Sequence, residues 1–117
     1  RVPGWSIEAR LVRGHGAAPS RNGYDTLLDA EHVGRHLYVR GRRPGDRFHP
    51  LGMAGAKKLQ DFLVDAKVPR KTRDGVPLVL SERGIAWVVG YRIAHWARLR
   101  EDTTEVLSLG FSPDQAT

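Results

Sequence analysis

Cysteine is absent from the 117 residues. Disulfide scaffolds, cysteine zinc sites and thiol chemistry are thereby excluded, and a reducing compartment is permitted. No apolar run approaches the roughly 20 residues that span a bilayer. No charged segment followed by an apolar stretch opens the chain as a signal peptide would. The histidines (His15, His32, His36, His49 and His95) form no HExxH run, so no metal site is expected. There is no GxSxG elbow, no Walker A spacing and no Ser-Gly-Gly-x-Asp-Ser nucleotide loop, and no catalytic constellation is expected. The chain starts at Arg1 and not at Met, which fits a piece of a longer protein.

Acidic charge is also scarce where it matters. Lys and Arg number 19 against 13 Asp and Glu, a net charge of +6, and the pI is near 10.3. Residues 35–73 hold eleven of the cations and only Asp46, Asp61 and Asp65 as acids, a net +8, while the remainder carries −2. A field of this kind suits a polyanion: nucleic acid, an anionic membrane or a phosphorylated ligand. An ordinary solvated basic face accounts for the charge equally well until a partner is known.

The apolar pattern predicts an α+β fold of short, mostly antiparallel strands with one principal amphipathic helix. Trp5, Ile7, Ala9 and Leu11 alternate with polar residues and predict a strand with one buried face. Residues 14–23 are turn formers. Tyr24–Ala30 is a second apolar stretch, and His36–Arg40 predicts a short strand with Leu37 and Val39 on one side. Residues 41–56 hold four glycines and two prolines; an ordered loop pinned by Phe48, Leu51 and Met53 is expected there. Leu59, Phe62, Leu63 and Ala66 then fall at i, i+3, i+4 and i+7, the stripe of a helix. About ten residues would make it some 15 Å long. Pro69 suits the start of a short helical turn that Gly75 closes. Val76–Leu80 and Ile85–Val89 flank Ser81-Glu82-Arg83-Gly84 and predict a hairpin. Tyr91–Ala97 extends its second strand or leaves it. Thr104–Phe111 predicts a last strand, and the final six residues are expected to fray. Leu59, Phe62 and Leu63 should pack against the sheet, with Trp87 near them or on its other covered face. Trp5, Trp87 and Trp96 are expected in the core or an interface.

Three basic clusters carry the candidate chemistry. The first is Arg40-Gly41-Arg42-Arg43-Pro44-Gly45-Asp46-Arg47. Its guanidinium forks match phosphate oxygens, and Asp46 could orient one of them. The second is Lys57-Lys58, read as the first turn of the helix. There the helix dipole opposes them by roughly 0.3–1 kcal/mol each, a term that a docked phosphate reverses in sign. Asp61 and Asp65 are expected to pair with these lysines. The third cluster is Lys67, Arg70, Lys71 and Arg73. Candidate phosphate contacts are Arg40, Arg42, Arg43, Arg47, Lys57, Lys58, Arg70, Lys71 and Arg73. Of these, Arg47 beside Asp46 and Arg73 beside Asp74 are expected in internal pairs.

The string Val39–Gly52 (VRGRRPGDRFHPLG), followed by Lys57–Phe62 (KKLQDF) and Asp65–Arg70 (DAKVPR), resembles the C-terminal domain of tRNA(Ile)-lysidine synthetase. The resemblance continues through Arg73, Val76–Leu78 and Ile85–Ile93, and its signature covers roughly residues 36–94. It implies a single domain over residues 1–117, similar in fold to a domain of the phenylalanyl-tRNA synthetase β subunit. It also implies a cytoplasmic parent enzyme that uses ATP and Mg to activate C2 of the wobble cytidine in the CAU anticodon of tRNA(Ile). Lysine then attacks to give lysidine. That chemistry would belong to an N-terminal ATP-pyrophosphatase domain, leaving this chain with no catalytic residue and no cofactor. Its implied role is accessory: holding the tRNA body on the acceptor-stem side, beside the enzyme's other domains and away from any membrane. In A-form RNA such a module would read backbone and shape, because the deep major groove admits few side chains. Two alternatives stand beside this reading. The same surface could dock on the enzyme's other domains or a second subunit, or it could bind a small anionic ligand.

Overall fold

The computed structural model describes residues 5–13 and 24–113. The turn-forming segment 14–23 and residues 114–117 lie outside the described residues. Nine strands, β1 (Trp5–Arg13), β2 (Asp25–Asp29), β3 (Tyr38–Arg40), β4 (Arg47–Phe48), β5 (Lys57–Lys58), β6 (Leu78–Ser81), β7 (Gly84–Val88), β8 (Arg92–Ile93) and β9 (Glu105–Pro113), are joined by two α-helices among the described residues, α1 (Ala30–Val33) and α2 (Leu59–Asp65). Every strand pairing is antiparallel. One sheet has the order β1-β9-β2, a second β3-β6-β7-β8, and β4 with β5 forms a two-stranded ribbon. This is the expected α+β class.

The two larger sheets share one core. Leu28, Leu109 and Phe111 from the first meet Leu78, Leu80, Trp87 and Val88 from the second, and Leu59, Phe62 and Leu63 of α2 close the cluster. Trp87 and Phe111 meet edge to face at 5.4 Å, as do Phe48 and Phe62 at 5.0 Å, an arrangement that aromatic quadrupoles favour. Trp5 and Trp96 pack partly buried against this core. The 3.6-residue stripe thus identified the buried face of α2 correctly. The hairpin stands where Ser81–Gly84 predicted it, with a register irregularity between Val79 and Leu80.

Several expectations are corrected. Helix α2 has seven residues, about 10 Å, because Lys57 and Lys58 belong to the ribbon and pair with Phe48 and Arg47. It stops where Lys67 turns left-handed at φ +60°, with the amides of Lys67 and Val68 bonded to the carbonyls of Val64 and Leu63. Loop 41–56 is pinned by buried Phe48 alone of its three expected anchors. Leu51 and Met53 are exposed, because the chain there is held by backbone contacts instead: Leu51 N–H to Ile93 O and a bridge from Pro50 to Ala94. In β1 the partly buried face extends only over Trp5 and Ile7; Ala9 and Leu11 are exposed, because the strand is an edge that pairs only with β9. Tyr91 leaves the hairpin in a turn, and Arg92–Ile93 returns as β8. Ser112 and Pro113, expected to fray, are in register with Ser6 and Trp5.

Candidate nucleic-acid interface

The first basic cluster is built around one turn. Asp46 N–H donates to Arg43 O at 3.2 Å, with Pro44 and Gly45 (φ +86°) between them. Proline second and a left-handed glycine third is the arrangement of a type II turn. The Asp46 carboxylate folds back into it. It accepts two bonds from Arg40, Nη1 to Oδ2 and Nη2 to Oδ1, each 2.9 Å, and one from the Arg43 amide at 2.8 Å. The Arg40 fork holds the Asp46 carboxyl below the usual carboxylate range, with the Arg43 amide adding to it against the opposing effect of burial. Asp46 in turn raises the Arg40 guanidinium.

The partners differ from those expected. Asp46 holds Arg40, not its neighbour Arg47. Asp74 holds Arg42 through Nε at 2.7 Å, not its neighbour Arg73. Arg73 instead donates from Nε to Val68 O at 3.0 Å, and Arg47 donates to Ala56 O at 3.3 Å. The reason is geometric: side chains adjacent along an extended strand point to opposite faces, and Arg47 opens β4 directly after Asp46. Asp74 ends up beside Arg42 because the 3₁₀ turn Arg70–Gly75 lies against the loop, so closely that a Cβ on Gly41 would stand 3.1 Å from Asp74 O.

A cleft of about 500 Å³ opens beside this turn. Arg42, Arg43, Arg47 and Lys58 line it, with Gln60, Asp46 and Asp74. Among the described residues the side chains of Arg43 and Lys58 make no hydrogen bond or ion pair, and both are exposed; the Arg43 charge acts on the Asp46 carboxylate only through space. Arg47 and Lys58 stand directly opposite one another in the ribbon. Like charges in that position repel. Lys58 also precedes α2 as its N-cap residue without any side-chain capping bond.

The remaining candidates stand apart from the cleft lining. Arg40 is committed to Asp46. Lys57 is paired with Asp65, one of the two acids expected for it. Arg70 and Lys71 are exposed on the 3₁₀ turn. Two cleft residues were not expected in the site. Gln60 sits on the polar side of a helix whose buried face was predicted, and Asp74, expected beside Arg73, is brought to Arg42 across 32 positions that no local pattern spans. His32 and His36, four apart, share no helical face because α1 ends at Val33 and Gly34 follows at φ +88°.

A family model described as "TilS substrate C-terminal domain" matches residues 37–109. The chain is 40% identical over 111 residues to a protein of Dehalococcoides mccartyi (strain CBDB1) named tRNA(Ile)-lysidine synthase, a match covering 94% of this chain and 24% of that protein. It is 50% identical over 88 residues to the protein of the same name in Symbiobacterium thermophilum, covering 74% and 18%. The chain therefore spans about a quarter or less of these relatives. Among solved structures it is similar to one titled "Crystal structure of TILS C-terminal domain", with TM-score 0.79, 27% identity, and 98% and 89% of the two chains covered. An N-terminal fragment of the phenylalanyl-tRNA synthetase β subunit from Pyrococcus horikoshii shares the fold at TM-score 0.59 and 18% identity, over 75% of this chain and 28% of that one.

Proposed function

Because the chain belongs to the family of the TilS substrate C-terminal domain, we propose that it is the accessory tRNA-binding domain of a tRNA(Ile)-lysidine synthase. In this reading it grips the phosphate backbone of the tRNA body on the acceptor-stem side. The modification of the CAU anticodon, with its ATP and Mg, takes place outside this chain, which carries no nucleotide loop. The parent is a ligase of the cytoplasm.

The observation that supports RNA backbone as the ligand is the Arg47–Lys58 pair. Two exposed cations held face to face across a ribbon repel unless an anion lies between or beside them. Arg42 and Arg43 line the same cleft, so its cations can neutralise neighbouring phosphates while reading no base. The Pro-Gly turn fixes the loop that carries two of these side chains, which lowers the ordering cost on binding.

The test is a salt titration of tRNA(Ile) affinity for the full-length protein, wild type against Arg43→Ala with Lys58→Ala. The double variant should bind more weakly. Its slope of log affinity against log salt should flatten by up to about one unit per lost phosphate contact. Thermal stability should hold within about 0.5 kcal/mol, as for solvated charges without partners. Unchanged affinity and slope would turn the cleft over to docking on another domain.

A further inference from the structure

Resting on that reading of the cleft, we propose that Asp74 is a built-in competitor for phosphate. It occupies Arg42 in the free protein and yields it when an RNA phosphodiester enters. Carboxylate and phosphate present the same kind of acceptor to a guanidinium, so one can take the other's place.

Asp74 is placed for exchange and not for support. Its side chain is 86% exposed, and Arg42 Nε at 2.7 Å is its one contact among the described residues. A carboxylate that orients an arginine is itself held by further bonds, as Asp46 is by the Arg43 amide. Asp74 has none of these. The terminal nitrogens of Arg42 make no hydrogen bond among the described residues, and Arg42 is part of the cleft lining beside Arg43, Arg47 and Lys58. Asp46, the other acid in the lining, is already saturated by Arg40. Asp74 is thus the one carboxylate of the cleft free to move. Exposed single-contact pairs are weak, so the exchange requires little. An anion that must first displace Asp74 is bound less tightly than the bare cation cluster would bind it, which favours ligands offering several phosphates at once over isolated anions.

The test uses the full-length protein and a tRNA(Ile) transcript with a CAU anticodon. Asp74→Ala should tighten binding about two- to five-fold at low salt, the range of one exposed ion pair. The salt slope should steepen by well under one unit, because the same phosphate is neutralised in both proteins and only the cation drawn to the displaced Asp74 carboxylate is lost. In an Arg42→Ala background the same change should give no more than the general gain that Glu82→Gln shows. Glu82→Gln, which removes an equal charge from the β6–β7 turn outside the cleft, measures the general electrostatic gain. Weaker binding by Asp74→Ala overturns the proposal and makes Asp74 a positioning residue for Arg42. A gain that survives undiminished in the Arg42→Ala background, or that Glu82→Gln matches, overturns it as well. If Arg43→Ala with Lys58→Ala also leaves binding unchanged, the RNA reading falls and the competitor falls with it. If those cations matter but the Asp74–Arg42 coupling is missing, only the competitor falls.

Discussion

Arg40–Asp46 and Arg42–Asp74 begin two residues apart and use the same chemistry, yet their surroundings make them different devices. The first pair is bidentate, with side chains 16% and 12% exposed, and its carboxylate also closes a turn. The second is a single contact with side chains 28% and 86% exposed. Charge withdrawn from water must keep its partner, because an orphaned ion there is costly. Charge left in water is worth little to its partner and is free to trade it. One arginine therefore braces the loop, and the next is available to a ligand.

The largest expected effect tests the brace. Asp46→Ala strands the Arg40 guanidinium and frees the Arg43 amide, and should cost about 3 kcal/mol in urea unfolding. A loss under about 1 kcal/mol would erase the distinction between the pairs. The pH dependence sharpens it. The Asp46 carboxyl is depressed in the folded protein by Arg40, so the unfolded chain binds the extra proton. Its stabilisation is in full force above the unfolded value near 3.9 and is lost as pH falls through the lower folded value. Stability of the wild type should accordingly fall more steeply below about pH 4 than that of Asp46→Asn, measured as urea midpoints across that range. Parallel curves would mean that Asp46 does not titrate with folding.

A smaller effect concerns the shape of the cation. Arg40→Lys keeps the charge but loses the fork that satisfies both Asp46 oxygens, and should cost about 1–2 kcal/mol, in line with a charged hydrogen bond lost in a partly buried site. Arg42→Lys removes only one exposed contact and should stay within about 0.5 kcal/mol in the same melt. Equal losses at the two positions would place both arginines in the same class.

That Asp46 orients one fork of its own cluster was legible in the sequence; which arginine it takes, and the Arg42–Asp74 pair, were not. The clusters, the turn and the helix face were, because each is written in local spacing: Pro44-Gly45 in a turn, and Leu59, Phe62 and Leu63 on a 3.6-residue stripe. Pairing is a matter of which backbones meet. Asp46 and Arg47 are neighbours on a chain entering a strand, which sends them apart. Asp74 reaches Arg42 only because the 3₁₀ turn packs on Gly41. The same blindness lengthened α2: Lys57 and Lys58 carry good helix propensity, but their partners Phe48 and Arg47 draw them into a ribbon, and no window within the segment 57–66 contains that information. The cleft is assembled from the loop, the ribbon, the start of α2 and Asp74, so its cations were identified in the sequence while their arrangement was not.

The smallest expected effect separates the two ways in which the Arg70–Gly75 turn holds the loop. Its side-chain link is the Arg42–Asp74 pair. Its backbone link is the close approach of Asp74 O to Gly41, where an added Cβ would stand 3.1 Å away. Asp74→Ala deletes only the first, and as an exposed pair it should change stability by less than about 0.5 kcal/mol. Gly41→Ala leaves every charge in place but pushes the turn off the loop by a few tenths of an ångström. Alanine recovers about 0.4–1 kcal/mol by restricting the unfolded chain, while crowding in well-packed positions costs about 1–3 kcal/mol. The net change should be a loss of about 1 kcal/mol, seen as a lower urea midpoint with an unchanged m-value. The missing methyl would then matter more to the fold than the ion pair beside it, as expected if Asp74 is kept for exchange. A loss above about 1.5 kcal/mol for Asp74→Ala, with Gly41→Ala neutral, would reverse that order and make Arg42–Asp74 a second brace.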